Sequence, residues 1–373
     1  MEKLKEFFLH IIRLGINKEI SGLGKCVSLE QIDWEELYGL ASRQGLLAIV
    51  MDGMELLPDE VRPPKKVRLQ WIGEVLQNYE ARYDDYRTKI GQLADFYHSH
   101  GFKLMVLKGY GLSLNYPKPS HRPCGDIDIW LFGQQEEADA ALAASSKFQG
   151  SGSKIDKSHH HHTVFEWNGY MVENHYDFVN VHYGHKNVEL EKVFKELAKD
   201  DSNVIEIDGH PLYLPSVNLH ALFLLRHCMQ DFAAAEMSMR QVLDWGFFIE
   251  NHSSEIDWEW FLDVLEEFKM SDFYNIISAI CVEDLGFTSS VFNPVSLKSV
   301  EKLEFKVLKK QVLNEVLEPS FSRKEPMDIL SRLIYKFRRW RGNAWKQQLC
   351  YDDSRWNAFW NGVWNHLLKP NSI

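Results

Sequence analysis

Along the first hundred residues, apolar positions recur every three or four. Trp34, Leu37, Leu40 and Ala41 form one such stripe, and Trp71, Val75, Leu76 and Tyr79 open another, so this region is predicted to be helical. The pattern continues over residues 84–100, and Gly101 stands where a helix C-cap is expected. The period then changes. Residues 102–107 are a short apolar run of strand length, followed by Lys108-Gly109 and a helical stretch, 110–116, that Pro117 and Pro119 end. A second strand is predicted over 126–132, an Ala-rich acidic helix over 134–146 and a flexible polar loop over 150–158. Two hairpins follow. Segments 163–167 and 170–177 flank Asn168-Gly169, and segments 204–207 and 210–214 flank Asp208-Gly209. Both pairs suit a type I′ turn, whose two central residues have positive φ. From Pro215 the helical period returns, with a start at Ser216 and Asn218 and a stripe through Leu222, Leu225, Met229, Met239, Val242 and Leu243. The predicted fold class is α+β. A small mixed β-sheet core, residues 101–215, is flanked by an N-terminal helical region, 1–100, and a C-terminal helical region, 216–373.

Composition narrows the function classes. The 373 residues suffice for about two to three domains, and 45% hydrophobic with 25% charged residues is ordinary for a globular chain. Lys and Arg number 42 against 53 Asp and Glu, a formal charge of −11, which disfavours a protein that grips nucleic acid over a wide surface. Five scattered cysteines, Cys26, Cys124, Cys228, Cys281 and Cys350, contain no CxxC pair. They signal neither a disulfide framework nor a structural zinc site, and a cytoplasmic, reducing compartment is expected. The N-terminal apolar run is broken by His10 and Arg13, which predicts an amphipathic helix and not a signal peptide. No stretch approaches 18 apolar residues, so no membrane span is expected.

The chemistry concentrates between Leu107 and Leu131. From Asp126 the order is carboxylate, Ile, carboxylate, Ile. Side chains two apart in a strand share a face, so Asp126 and Asp128 project together while Ile127 and Ile129 enter the core. Two carboxylates that close repel each other, and a divalent cation compensates. Paired hard oxygens suit Mg²⁺, with Mn²⁺ the alternative, its shell completed by waters and substrate phosphates. Lys108-Gly109 lies at a strand-to-helix junction where backbone N–H groups favour a phosphate; Gly109 and Gly111 permit close approach and Ser113 adds a hydroxyl. A third acid is expected from a later strand. Glu173, His175 and Asp177 share one face there, with Glu173 the first choice and Asp177 the second.

The segments LKG (107–109), GDIDIWL (125–131) and VENHY (172–176) together resemble the uncharacterised nucleotidyltransferase family of the DNA polymerase beta-type superfamily. The resemblance is strongest over 102–183 and extends more weakly through LASRQGLLAIV, LHALFLLRHC and MRQVLDWGFFI. Lys108-Gly109 stands where the wider superfamily has a Gly-Ser turn. The resemblance implies metal-dependent transfer of a nucleoside monophosphate from a nucleoside triphosphate, ATP first, to an acceptor hydroxyl, releasing pyrophosphate. Asp126 and Asp128 would bind Mg²⁺, Glu173 would join them and help deprotonate the acceptor, and Lys108 and Arg122 would neutralise charge building on the phosphates. The acceptor is unknown; a small molecule or protein hydroxyl is favoured over nucleic acid. The competing reading is a catalytically silent nucleotide-binding or partner-binding module, antitoxin-like.

Two further features stand out. Seven histidines fall within 27 residues: His159 to His162, His175, His182 and His185. Four consecutive histidines cannot all face one ion and they follow a polar loop, so a zinc site is not expected; His175 is expected to orient Glu173 or touch phosphate. Residues 332–346 carry six basic residues and no acid, read as an amphipathic helix paired with acidic neighbours, and Trp340, Trp345, Trp356, Trp360 and Trp364 are read as core anchors.

Overall fold

Six strands form one mixed sheet in the order β3-β4-β2-β1-β6-β5, where β1 is Met105–Val106, β2 Ile127–Trp130, β3 His162–Trp167, β4 Tyr170–His175, β5 Val204–Ile207 and β6 His210–Tyr213. The structure, a computed structural model, describes residues 2–16, 32–181, 185–234, 237–292, 303–321 and 328–351. Cys26, His182, Trp356, Trp360 and Trp364 lie outside the described residues. The α+β class read from the periodicities is the observed one, with one mixed sheet and flanking helices.

The chain divides into two compact units. The sheet belongs to one, which contains Ala81–Leu114 and Cys124–Phe223. Its two hairpins turn at Asn168 (φ 50°) and Gly169 (φ 90°), and at Asp208 (φ 51°) and Gly209 (φ 87°), the conformation that the Asn-Gly and Asp-Gly pairs predict. Outer pairs β3–β4 and β5–β6 are antiparallel, β1 pairs antiparallel with β2, and β2–β4 and β1–β6 are parallel. One face carries Ile127, Ile129, Phe165, Trp167 and Val172 into a core completed by Tyr86, Ile90, Leu93 and Tyr97 of the helix Ala81–Ser99. The burial of these side chains, each contributing about 1.5–3 kcal/mol, holds that helix against the sheet.

Several elements are shorter than the period predicts. β1 has only two residues, because Lys108-Gly109 turns the chain away from the ladder into the helix Tyr110–Ser113. The predicted loop 150–158 is partly ordered: Ser145 caps the helix Ser146–Ser151, accepting from the Phe148 N–H at 3.3 Å, and buried Phe148 ties that helix to the core. Asp156 then pairs with Val164 through two backbone hydrogen bonds of 2.7 and 2.9 Å.

The second unit is helical and contains Met1–Glu80, Asn115–Pro123 and Leu224–Asp353. Helices Glu2–Gly15 and Leu47–Glu55 cross at two glycines: a Cβ on Gly15 would sit 2.0 Å from the Ile49 carbonyl oxygen, and one on Gly53 2.1 Å from that of Ile11. The basic run at 332–346 lies in the helix Ile329–Tyr351, where buried Lys346 pairs with Glu315 at 2.6 Å and Trp345 packs edge-on against Phe232. Among the described residues, no helix is long and apolar enough to cross a membrane.

Candidate active site

The site builds on β2 and β4. Because these strands run parallel with Asp128 paired to Glu173 and Trp130 to His175, side chains of equal parity meet on one face. That face is opposite the apolar core, so Asp128, Glu173 and His175 converge while Ile127, Ile129 and Val172 anchor the strands behind them. β4 is fixed from behind as well: buried Asn174 donates to Asp139 at 2.8 Å, and Thr163 and Gln135 donate to the other oxygen of Asp139 at 2.8 and 2.5 Å.

The turn between β1 and the helix Tyr110–Ser113 supplies the cation. Lys108 Nζ lies 2.5 Å from Asp128 Oδ1, and His175 Nε2 lies 3.4 Å from the same oxygen and 3.7 Å from Glu173 Oε2. Asp128 is 1% exposed. Burial alone would raise its pKa, but Lys108 and then His175 outweigh it and hold the carboxyl well below its usual range. Burial likewise opposes the charge on Lys108, yet Asp128, Glu173 and Asp126 together raise its pKa. His175 is pushed up to about 9: burial would depress it, and its hydrogen bonds with Asp128 and Glu173 prevail. Asp126, one residue before β2, is raised, first by the charge of Asp128 and then by burial. Its backbone is held by Tyr86, whose hydroxyl donates to the Asp126 carbonyl at 2.7 Å. Gly109 (φ +55°) makes that contact possible, since a Cβ there would sit 2.3 Å from the Tyr86 hydroxyl oxygen.

The remaining candidates sit as follows. The Ser113 hydroxyl is fully buried and donates to the Tyr110 carbonyl at 2.6 Å, with the Tyr83 hydroxyl 3.1 Å away. Arg122 belongs to the helical unit, where it donates to both oxygens of Asp244 at 2.7 and 3.0 Å. Asp177 lies beyond β4, 2.5 Å from Lys195. A cavity of about 820 Å³ opens beside Trp130, two residues along β2 from Asp128, lined also by Phe132, Thr163, Tyr176 and Lys157.

Asp128, Glu173 and His175 each offer a ligand atom within 4.8 Å of the others, while Asp126 falls outside that grouping. Two carboxylates whose charge already draws in Lys108 and His175 are a donor set that fits a divalent cation. His161 and His162 also stand at this site and were not expected there. His162 opens β3 and pairs with His175 across the β3–β4 ladder, and its Nε2 lies 4.0 Å from Glu173 Oε1. Burial, then the charge of His175, lowers His162 to about 3 and takes His161 well below its ordinary value.

A family described as uncharacterised nucleotidyltransferase matches residues 30–286, more than two thirds of the chain. The chain belongs to this family. No curated protein and no solved structure matches the chain. Within this nucleotidyltransferase family member, the match spans both the turn at Lys108-Gly109 and the acids of β2 and β4.

Proposed function

We propose that the chain is a metal-dependent nucleotidyltransferase that moves a nucleoside monophosphate from a nucleoside triphosphate, ATP first, to an acceptor hydroxyl and releases pyrophosphate. The observation that carries this reading is the parallel β2–β4 register that seats Glu173 beside Asp128 with Lys108 at 2.5 Å. Asp126, Asp128 and Glu173 are the acids that would hold Mg²⁺ or Mn²⁺, and such an ion supplies neutralisation of phosphate charge and polarisation of the phosphorus–oxygen bonds. Glu173 accepts the proton of the acceptor hydroxyl as its oxygen attacks the α-phosphorus. The bond from that phosphorus to the pyrophosphate oxygen breaks. Lys108, on the turn before the helix Tyr110–Ser113, neutralises charge on the departing phosphates, and Gly109 admits them to backbone N–H groups. His175 orients Glu173. The net charge of −11 supports a small-molecule or protein hydroxyl as acceptor over nucleic acid, and a cavity of small-ligand size opens beside Trp130, although none of the three acids lines it. Cys228, Cys281 and Cys350 are free and buried, which supports a reducing, cytoplasmic setting.

Isothermal titration with ATP, with and without Mg²⁺ or Mn²⁺, tests the reading. Metal-dependent binding is expected in the intact chain and lost in Asp126→Ala and Asp128→Asn. Absence of binding of any nucleoside triphosphate with any divalent cation overturns it. One observation favours a second reading, a silent nucleotide-binding or partner-binding module: Lys108 and His175 both lie against Asp128 and offset its charge. Tight ATP binding without turnover of any acceptor in cell extract decides for that module.

A further inference from the structure

His161 and His162, beside the acids, have no part in the proposed transfer, and their placement next to His175 needs a separate account. His161, His162 and His175 each present a ring nitrogen, all within 4.8 Å of one another. Their backbones are fixed. The His161 carbonyl accepts from the Tyr176 and Asp177 N–H groups at 3.0 and 3.1 Å, and His162 is locked opposite His175 in the β3–β4 ladder. The Tyr176 hydroxyl holds the preceding His159 carbonyl at 2.9 Å. The three rings therefore converge from two ordered strand ends, not from a mobile loop.

The nitrogens themselves are the second observation. His161 Nδ1 and His162 Nδ1 are buried and have no hydrogen-bond partner among the described residues. Buried polar nitrogens are nearly always partnered, and two rings with such orphans, grouped with a third imidazole, call for a ligand. Imidazole nitrogens offer lone pairs to a cation, and a set of three selects one of borderline-soft character. Three imidazoles form a ligand set that binds zinc while leaving a fourth position open. The Asp128–Glu173 pair next to them is a hard-oxygen set suited to Mg²⁺. His175 lies between the two sets and belongs to both groupings.

From this arrangement we infer that His161, His162 and His175 form a binding site for one divalent cation of the zinc class, separate from the magnesium position at the acids. The inference stands on the imidazoles and is independent of whether the acids transfer nucleotides. Because His175 is shared, a zinc-class ion draws it from Asp128 and Glu173, so the two sites are coupled.

The test is zinc titration of the metal-stripped full chain without nucleotide or Mg²⁺, with Co²⁺ absorption as a second readout. One equivalent of zinc and a visible Co²⁺ band of a four-coordinate site are expected. His161→Ala and His162→Ala should each weaken zinc more than about 100-fold, since even outer-shell partners of a metal site are worth 10–100-fold. Asp126→Ala should keep zinc while losing Mg²⁺-dependent ATP binding, and His161→Ala should do the reverse. His161→Gln and His162→Gln, checked by circular dichroism, provide folded variants if the alanine forms do not fold. Absence of stoichiometric zinc, zinc retained in both histidine variants, or zinc lost with Asp126→Ala overturns the inference. Failure of ATP binding in every form leaves the zinc result standing, so the two proposals fail separately.

Discussion

Gly109 shows how a single backbone position shapes the candidate site. Its φ of +55° disfavours any side chain, and a Cβ would fall 2.3 Å from the Tyr86 hydroxyl oxygen but 3.3 Å from the ring carbon that bears it. The same hydroxyl holds the Asp126 carbonyl. Gly109→Ala is therefore expected to lower stability by about 1–3 kcal/mol and to weaken metal-dependent ATP binding. In a Tyr86→Phe background the clashing oxygen is gone, and the cost of Gly109→Ala should fall to the backbone strain alone, about 1–2 kcal/mol. Urea midpoints of the four forms check this, and strict additivity would show that the clash is not the cause. At this scale Asp126 and Asp128 were legible, because alternation with Ile127 and Ile129 assigns them a face without knowledge of any neighbour. His161 and His162 were not. Four consecutive histidines have no period, and the strand predicted from Thr163 begins one residue after the observed start, which leaves His162 outside it. Only the pairing with His175, thirteen positions on, brings it to the site.

Elements defined by local chemistry are legible to the residue, whereas strands defined by pairing are legible in place but not in length. Asn168-Gly169 and Asp208-Gly209 specify their turns through φ alone, so both hairpins could be placed from sequence. β1 falls inside the strand predicted over 102–107 but is shorter, since its two residues are a strand only by virtue of β2 on one side and β6 on the other. The short turn Pro119–His121 in the helical unit shows a tertiary constraint of the same kind. Buried His121 bridges Asp52 at 2.6 Å and Glu80 at 3.0 Å, with Lys118 also on Asp52 at 2.6 Å. Burial would depress the imidazole, but the hydrogen bonds to Asp52 and Glu80 outweigh it and its pKa is raised above 6.5, against the opposing charge of Lys118. A raised folded value means that protonation favours the folded state. The stabilisation is complete below 6.5, the unfolded value, and is lost as pH rises through the raised one. The melting-temperature gap between the native chain and His121→Gln should accordingly shrink from about pH 5 to pH 9. A gap that stays constant would mean that the clasp holds through a neutral imidazole.

For the molecule as a whole, charge bears on the choice of acceptor. With 42 basic residues against 53 acidic ones, the net charge of −11 repels a phosphate backbone, and the cost grows with each nucleotide bound. In the densest basic run, 332–346, Lys346 is buried against Glu315, while Arg332, Arg338 and Arg341 are exposed and would be the local cations to test. Meanwhile the cavity of about 820 Å³ beside Trp130 belongs to the same unit as the acids. A compact hydroxyl compound, or a single side chain presented by a protein, can enter such a space without bringing a polyanion against an acidic surface. Incubation of the full chain with α-labelled ATP, Mg²⁺ and a cell extract should therefore yield label that survives RNase and DNase. The labelled product should partition into either the small-molecule filtrate or the protein fraction. The label should depend on Asp128, being absent with Asp128→Asn. Label released by either nuclease would mean that local cationic contacts overcome the net charge. In that case product formation should fall steeply with added salt, with a log–log slope of about −0.7 to −0.9 per phosphate engaged. A small acceptor predicts a nearly flat salt dependence, so the two outcomes are separable even before the acceptor is identified.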